Sequence, residues 1–335
     1  MHKTIFLWIT LCSGFGVFGQ QLVAQDSTNI ISFVDKIILK VNVDTQTDSY
    51  KVSDPLDGEL DLLANNQNRL TLSLDYEFIG LSIGFAPNFL PGNNDEDLQG
   101  KSSFTNYEFR FFLGKWTQEL KYTKVQGFYV ENTGDFIPDW IEGEGPYLQF
   151  PDFKTTTWAG STSYVLNPNF SLRNVVYNTE WQLKSAGSFV PSFRYGYTRI
   201  SFEVGDSKSY QDDFDMRLAP DYYYTLVIQK NWYASAFLSP SIGIRFSSEF
   251  DDDINTKENN TYWPVALSGG FQLGYSSRKM IFGANFNFES TWYNEDDDTH
   301  VLNDKFYAKI YIGYRIDPPK FIKKVFTSMN NKLGL

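Results

Sequence analysis

The chain has 335 residues, of which 42% are hydrophobic and 18% aromatic, and its 40 acidic and 29 basic side chains give a formal net charge of −11. So much apolar surface excludes an intrinsically disordered chain, and the acidic excess excludes a general nucleic-acid binder, because affinity for a phosphate backbone comes from clustered Lys and Arg. A single cysteine, 24 glycines and 13 prolines also exclude a disulfide-rich scaffold and a collagen-like chain.

The N-terminal stretch predicts a secretory signal peptide over residues 1–24. Lys3 precedes an apolar run from Ile5 to Leu11, and small residues follow it, which is the order of parts in such a leader. Cleavage fits after Gly19 or after Ala24, and we favour the second. The apolar run is shorter than the roughly 20 residues that a membrane-spanning helix needs.

After this leader, segments of about ten residues alternate between apolar and polar side chains, which is typical of the strands of a transmembrane barrel. Clear examples lie at 70–77, 106–113, 232–244 and 282–289. No later window approaches the roughly 18 uncharged apolar residues of a spanning helix, so a bundle of membrane helices is excluded.

One predicted hairpin allows an internal check of the strand register. Gly114-Lys115 fits a two-residue type II′ turn, and such a turn fixes the pairing of its flanking strands. The register then places Arg110 opposite Glu119 and Glu108 opposite Lys121 on one face, and Phe109 opposite Leu120 and Tyr107 opposite Tyr122 on the other. Matched pairs on both faces favour this register. We expect the four charged residues to line a lumen, either along a solute path or paired with one another to close the interior.

The predicted connections alternate between short and long. Short turns are predicted at 77–80, 114–115, 167–169, 230–231 and 276–278, and long polar loops at 87–102, 131–155, 250–261 and 294–304. Bacterial outer-membrane barrels have short periplasmic turns and long external loops. The pattern therefore predicts such a barrel over residues 25–316.

Candidate strands number about thirteen, one more than the nearest even count that a single-chain bacterial barrel allows. They lie near 37–48, 69–77, 80–86, 104–113, 116–130, 156–166, 170–183, 189–203, 221–229, 232–247, 262–276, 279–292 and 304–315. The odd strand number arises at residues 205–220. Either these residues contain a further strand, or they cross the lumen, or the first predicted strand lies outside the barrel. We predict an all-β, antiparallel transmembrane β-barrel of about 12 strands, within a range of about 10 to 14.

Residues 317–335 form a basic tail, which we expect in the periplasm. Pro318-Pro319 end the last strand, and apolar residues from Phe321 to Met329 fall on one face of a predicted amphipathic helix, beside Lys323 and Lys324. Such a helix suits an interface with anionic lipid head groups, and it equally suits packing against the barrel.

Few residues point to catalysis or to a metal site. Acidic runs at 95–97, 251–253 and 295–298 offer oxygen ligands for divalent cations but lack the spacing of a calcium loop, so solvated loop charge is the preferred interpretation. His300 is the only histidine outside the leader, and no nucleophile stands out beside it. We therefore expect no cofactor, no enzymatic activity and no nucleic-acid partner, and outer-membrane lipid as the main partner.

Three stretches resemble a known family. They are NNQNRLTLSLDYEFIGLSIGFAPNFLPGNNDEDLQGKS at 65–102, FRFFLGKWTQELKY at 109–122 and KSAGSF at 184–189. They are similar to blocks of an uncharacterised Bacteroidetes-type family, the domain-of-unknown-function 4421 family, over nearly all of the mature chain. The resemblance implies a secreted barrel of the outer membrane and supplies no activity, ligand or site.

Two functional hypotheses follow from these patterns. The first is an outer-membrane barrel that acts as a narrow channel or in transport. The second is a structural or surface-binding barrel whose long aromatic loop at 131–153, with Phe136, Trp140, Tyr147 and Phe150, engages a partner or glycan. A soluble secreted sandwich is a third architecture that the same alternation allows.

Overall fold

The computed structural model describes residues 29–46, 49–54, 58–204, 207–251, 256–294 and 300–333. The predicted signal peptide, residues 252–253 of the acidic run at 251–253, and the acidic run at 295–298 lie outside these ranges. The strands, in chain order, are β1 (Ile30–Ser32), β2 (Ile37–Asp44), β3 (Ser49–Asp54), β4 (Gly58–Leu63), β5 (Arg69–Tyr76), β6 (Ile79–Phe85), β7 (Ser103–Leu113), β8 (Trp116–Val130), β9 (Gln149–Tyr164), β10 (Glu180–Gln182), β11 (Ala186–Val204), β12 (Ser207–Gln229), β13 (Trp232–Asp251), β14 (Thr256–Tyr262), β15 (Val265–Ser276), β16 (Met280–Asn294) and β17 (His300–Ile316). The helical segments are α1 (Glu96–Gln99), a 3₁₀ turn (Thr133–Asp135), a π-helical turn (Arg173–Tyr177) and α2 (Lys320–Leu333).

Twelve strands form a closed antiparallel ring. Their order is β2, β5, β6, β7, β8, β9, β11, β12, β13, β15, β16, β17, and the ring closes because β17 pairs with β2. The β3–β4 hairpin is attached to β8, β14 is attached to β13, and β1 pairs with β10 in a separate small sheet. The predicted barrel of about 12 strands is thus confirmed.

The wall of the barrel is apolar outside and polar inside. Leu39 keeps 43% of its surface exposed, whereas the neighbouring Lys40 keeps 7%. The same alternation leaves Leu72 and Leu74 exposed and Ser73 buried on β5. Two stacked sheets would bury the apolar set instead, so the closed ring excludes the soluble sandwich.

The hairpin at Gly114-Lys115 has the predicted register. Arg110 pairs with Glu119, Glu108 with Lys121, Phe109 with Leu120 and Tyr107 with Tyr122. Charge pairing on the inner face and apolar pairing on the outer face therefore fixed this register together.

The two rims of the barrel differ in their connections. At one rim, here called the short-turn rim, tight turns join β5 to β6, β7 to β8, β12 to β13 and β15 to β16. At the opposite long-loop rim, the chain between β6 and β7, between β8 and β9 and between β13 and β15 is longer. The predicted alternation is confirmed, with two exceptions: residues 165–185 at the short-turn rim, and the connection from β11 to β12, which has only two residues although it lies at the long-loop rim.

The turn predicted at 167–169 is present, since the amide of Phe170 donates to the carbonyl of Asn167 over 3.1 Å. The strand predicted at 170–183 is wrong, apart from the three residues of β10. This stretch leaves the wall at the short-turn rim and folds back, with buried Arg173, Asn174 and Asn178. These polar side chains need hydrogen-bond partners and could not face lipid. Residues 207–220, the other uncertain stretch, belong to the continuous strand β12, so the even strand number is restored.

The chain divides into two compact units, one of which is residues 24–318 and contains the barrel. The described part of the other contains α2, in which Phe321 and Val325 are exposed and Lys323, Lys324 and Lys332 supply positive charge. The predicted C-terminal amphipathic helix is confirmed. None of the described helices has the length and apolar character needed to cross a bilayer.

Candidate functional site

Residues 165–185, together with residues 29–36 ahead of β2, form a body that we call the plug. β1 pairs with β10 between Ile30 and Gln182, and the amide of Phe33 donates to the carbonyl of Thr179 over 3.3 Å. An apolar cluster of Phe33, Ile38, Trp181 and Ile281 joins the plug to the wall strands β2 and β16. The plug is therefore packed against the barrel from within.

The tip of the plug contacts opposite sides of the wall. Lys40 on β2 donates to the carbonyl of Tyr177 over 3.0 Å. The hydroxyl of Tyr177 donates to Glu119 on β8 over 3.1 Å, and Arg315 on β17 donates to the carbonyl of Asn178 over 3.0 Å. A segment held from several sides of the ring spans the lumen at this level.

A group of tyrosines completes the closure. Tyr233 on β13 and Tyr311 on β17 meet hydroxyl to hydroxyl at 3.1 Å, and the Asn178 amide donates to Tyr233 over 3.2 Å. The ring of Tyr311 lies over Gly283, where an added Cβ would come within 2.5 Å of its hydroxyl. Glycine is required there because any side chain would displace the ring.

Arg173 fixes the base of the plug. Its Nε donates to the hydroxyl of Thr179 over 3.0 Å, and its guanidinium lies 4.4 Å from the centre of the Phe112 ring. Its Nη1 is 3.6 Å from Glu180. The charge of Arg173 is thus partnered within the plug and against β7.

The four predicted lumenal residues lie on the inner face just beyond the plug. Arg110 is buried and contacts Glu108 at 2.7 Å and Asp75 at 3.0 Å. The approach to Asp75 is oblique, so this contact is an ion pair and not an aligned hydrogen bond. Although Glu119 stands opposite Arg110 in the sheet, its carboxylate accepts from Tyr177, and Lys121 lies opposite Glu108.

Sequence reasoning missed Lys40, Asp75 and Tyr177. Lys40 and Asp75 follow the alternation of polar side chains on β2 and β5, which is the signal that could have found them. Arg110 reaches Asp75 across Gly80, the residue between them in the ladder, where an added Cβ would lie 2.2 Å from the Asp75 carboxylate.

Burial, together with the Glu119 and Glu108 carboxylates, holds the pKa of Tyr177 well above its usual value. The hydroxyl therefore stays protonated at neutral pH and remains a donor to Glu119.

Three connections at the long-loop rim form a second feature, which we call the external platform. It consists of the β3–β4 hairpin, residues 86–102 and residues 131–148. The amide of Glu131 donates to the carbonyl of Asp61, and the amide of Tyr147 donates to the carbonyl of Leu98, each over 2.8 to 2.9 Å. A buried cluster including Leu62, Phe104, Phe128 and Phe153 underlies the platform.

The aromatic side chains of the loop predicted to engage a partner are partly used within the platform. The ring centre of Tyr147 lies 4.8 Å from that of Trp140 and 5.0 Å from that of Tyr129. Phe136 packs against the buried cluster. Ile137 and Ile141 remain exposed, between the exposed acidic residues Asp135, Asp139, Glu142 and Glu144.

Of the other residues considered for chemistry, the structure describes the side chains of the acidic run at 95–97. Glu96 and Asp97 lie in the first turn of α1, and the described part of the chain holds no group of three or more His, Cys, Asp or Glu that could bind a metal ion. His300 begins β17 and pairs with Asn294 through the backbone. The side chain of His300 lies outside the part of the chain that the structure describes.

Comparison with solved structures finds outer-membrane barrels. Matches include the outer-membrane-expressed OmpT of Vibrio cholerae (9% identity, TM-score 0.34, covering 88% of this chain and 100% of that one) and the outer membrane protease OmpT of Escherichia coli (8%, 0.31, 85% and 96%). The β domain of the Bordetella autotransporter BrkA matches with 10% identity and a TM-score of 0.35, covering 84% of this chain and 99% of that one. No curated protein sequence matches.

The prediction that the protein is not an enzyme is corrected by these matches. The finding that overturns it is that an outer membrane protease stands among them. The location is that predicted: the closed ring with its apolar outer face is a barrel of the bacterial outer membrane.

The model of the family described as a domain of unknown function (DUF4421) matches residues 24–316, and the chain belongs to that family.

Proposed function

We propose that the protein is a surface-binding barrel with a sealed lumen, which presents the external platform to a partner outside the cell. The observation that carries this proposal is the plug. Tyr177 and Asn178 bridge the ring at the short-turn rim, which is the periplasmic side in barrels of this class. An open diffusion channel would need that cross-section free.

The external platform supports the binding half of the proposal. Backbone hydrogen bonds tie its three connections together, and edge-to-face contacts of Tyr147 with Trp140 and Tyr129 pack the 131–148 loop against β8. A pre-ordered surface binds with a smaller loss of conformational entropy than a loose loop does. The exposed Ile137 and Ile141, set among carboxylates, fit a partner segment that carries apolar and basic side chains.

A narrow transport path is the second candidate, and the charged inner wall favours it. Arg110, Glu108 and Asp75 form a charged constriction of the type that sets selectivity in pores. For a solute to pass the plug, the hydrogen bonds of Tyr177 and Asn178 with the barrel wall would have to break.

Planar-bilayer recording of the refolded protein separates the two candidates. We expect no single-channel steps from the wild-type barrel, because the plug closes the lumen. Steps at rest would overturn the sealed-lumen proposal and support transport.

The binding half is tested with the barrel in nanodiscs and an array of basic, apolar peptides. The wild-type protein should bind peptides that a variant lacking residues 134–146 does not. Ile137→Asp with Ile141→Asp should reproduce the loss. Phe89→Asp, at an exposed site on residues 86–102 of the same platform, should retain binding if the 131–148 loop alone makes the contact. Equal binding by all four proteins would contradict the proposed role of the 131–148 loop.

A further inference from the structure

Basic side chains on the outer wall of the barrel are confined to one sector. Besides Lys257 on the attached strand β14, the outward-facing Lys and Arg residues on the described ring strands are Lys124 on β8, Lys154 on β9, Arg199 on β11 and Lys208 on β12. These four strands are consecutive neighbours in the ring. Although the chain has a net charge of −11, this sector therefore concentrates positive charge on a wall that is otherwise largely apolar.

Three of these residues, Lys124, Lys154 and Arg199, form what we call the basic patch. Lys124 and Arg199 flank Thr156 in one row of the sheet, and Lys154 lies two residues further along β9 on the same face. Adjacent strands lie about 4.8 Å apart, so Lys124 and Arg199 are separated by about 10 Å, and their long side chains can converge on one ligand.

The charges of the patch are only partly neutralised. Arg199 donates to Asp212 through Nε over 2.7 Å and through Nη2 over 2.6 Å, and Tyr197 also donates to that carboxylate. Among the described contacts, neither the Lys124 nor the Lys154 ammonium has an ion pair or hydrogen bond. The exposed Asp152 lies two residues from Lys154, on the side of the long-loop rim. The three basic residues of the patch therefore keep a surplus of positive charge.

The patch stands at the height of lipid head groups. Arg199 lies ten residues along β11 from Phe189, an outward-facing aromatic residue near the short-turn rim, and Lys154 lies ten residues from Tyr164 on β9. Ten residues of antiparallel strand at about 3.4 Å each and a tilt of about 40° rise about 26 Å. The apolar band of such barrels is about 25 Å tall, so both residues fall at its outer edge.

Aromatic side chains border the patch on the membrane side. On each of three strands, an outward-facing aromatic residue lies on the short-turn side of the basic residue: Tyr122 on β8, Trp158 on β9 and Tyr197 on β11. The ring centres of Tyr122 and Trp158 are 4.5 Å apart. Tyrosine and tryptophan mark the membrane–water boundary in barrels. The basic patch thus begins where the hydrocarbon ends, on the external side.

We propose that the basic patch binds the phosphate groups of the phosphorylated glycolipid in the outer leaflet of the outer membrane. Arg199 supplies a planar guanidinium already oriented by Asp212, and Lys124 and Lys154 supply mobile ammonium groups for phosphate oxygens. The aromatic border and the apolar wall below it accommodate the acyl chains. This site is separate from the plug and from the external platform, so it does not depend on the proposed function.

The test measures the binding of diphosphoryl lipid A to the detergent-solubilised, refolded barrel, with dephosphorylated lipid A as the paired probe. We expect Lys124→Gln with Lys154→Gln to weaken binding of the diphosphoryl form at least about tenfold, since two phosphate contacts are lost. Lys115→Gln with Lys230→Gln makes the same change of charge at the short-turn rim and should bind as the wild type does.

Dephosphorylated lipid A should bind all three proteins equally weakly. The proposal is overturned if the Lys124/Lys154 variant retains wild-type affinity, if the short-turn control loses as much, or if removing the phosphates leaves wild-type binding unchanged. Neither Lys124 nor Lys154 holds other described groups in place, and heat-modifiable migration on a detergent gel verifies that each variant is folded. Should the double variant fail to fold, the single substitutions are measured in its place, each with an expected loss of about threefold.

Discussion

Arg110 is the residue on which the inner charges depend. It contacts both Asp75 and Glu108, and the side chains of Arg110 and Asp75 are 5% and 2% exposed. Arg110→Gln would remove the cation that contacts both carboxylates, and removal of one partner from a buried ion pair costs about 3–5 kcal/mol. We expect a loss of this size in the free energy of unfolding, measured by urea titration of the barrel in lipid vesicles. Lys115→Gln at the exposed turn should change it little, and an equally small effect of Arg110→Gln would show that water solvates these carboxylates.

Phe109 tests the outer face at the scale of a single side chain. It points outward from β7 and is 37% exposed. Phe109→Arg should destabilise the barrel by about 2–4 kcal/mol if the residue meets the hydrocarbon midplane. Phe89→Arg is a matched control, because Phe89 lies between β6 and β7 at the long-loop rim and is 76% exposed. If the two substitutions have the same effect, Phe109 does not face lipid.

At the scale of elements, the plug depends on the close approach of side chains to the wall. A Cβ at Gly283 would lie 2.5 Å from both the Tyr311 hydroxyl and the Leu273 carbonyl oxygen, so Gly283→Val would strain β16 locally and push the Tyr311 ring from its contacts with Tyr233 and Gln272. Overpacking of this kind costs about 1–3 kcal/mol, and we expect the loosened plug to give intermittent conductance steps. Gly196→Val is the control, since an added Cβ there meets nothing closer than 3.6 Å. A silent Gly283→Val barrel would show that the tyrosines do not hold the plug.

The wall strands could be predicted from the sequence, whereas the plug could not. On β5, β7 and β8, one side meets lipid and the other meets the lumen, and this contrast appears as strict alternation. Residues 170–183 also carry spaced apolar side chains, such as Phe170, Leu172 and Val175, but these pack into a cluster with Val190 at the short-turn rim. Local periodicity does not distinguish a strand in the wall from a segment folded into the lumen.

The candidate site was predictable to the same limited extent. The hairpin register correctly placed Arg110 beside Glu119, because neighbouring strands joined by a tight turn pair in only one way. The pairing of Arg110 with Asp75 spans three strands and depends on the small residue between them, Gly80. The contact of Glu119 with Tyr177 depends on a chain segment far away in sequence.

At the scale of the whole molecule, the barrel and the plug should be separable. The ring closes through the pairing of β17 with β2 and of β8 with β9, and neither pairing involves residues 165–185. We therefore expect a variant in which a short Gly-Ser turn replaces residues 167–184 to remain a folded barrel. On a detergent gel, it should still migrate differently before and after boiling.

The same variant should conduct, because removal of the plug frees the cross-section that Tyr177 and Asn178 occupy. Planar-bilayer recording should show steady single-channel steps, whereas a variant lacking residues 134–146 at the opposite rim should stay closed. A shortened barrel that folds but does not conduct would mean that the charged inner wall, with Arg110 and its partners, already closes the lumen. Loss of the folded, heat-modifiable form would mean instead that packing of the plug holds the ring together. The buried cluster of Trp181 with Ile38 and Ile281 would then be the contact responsible.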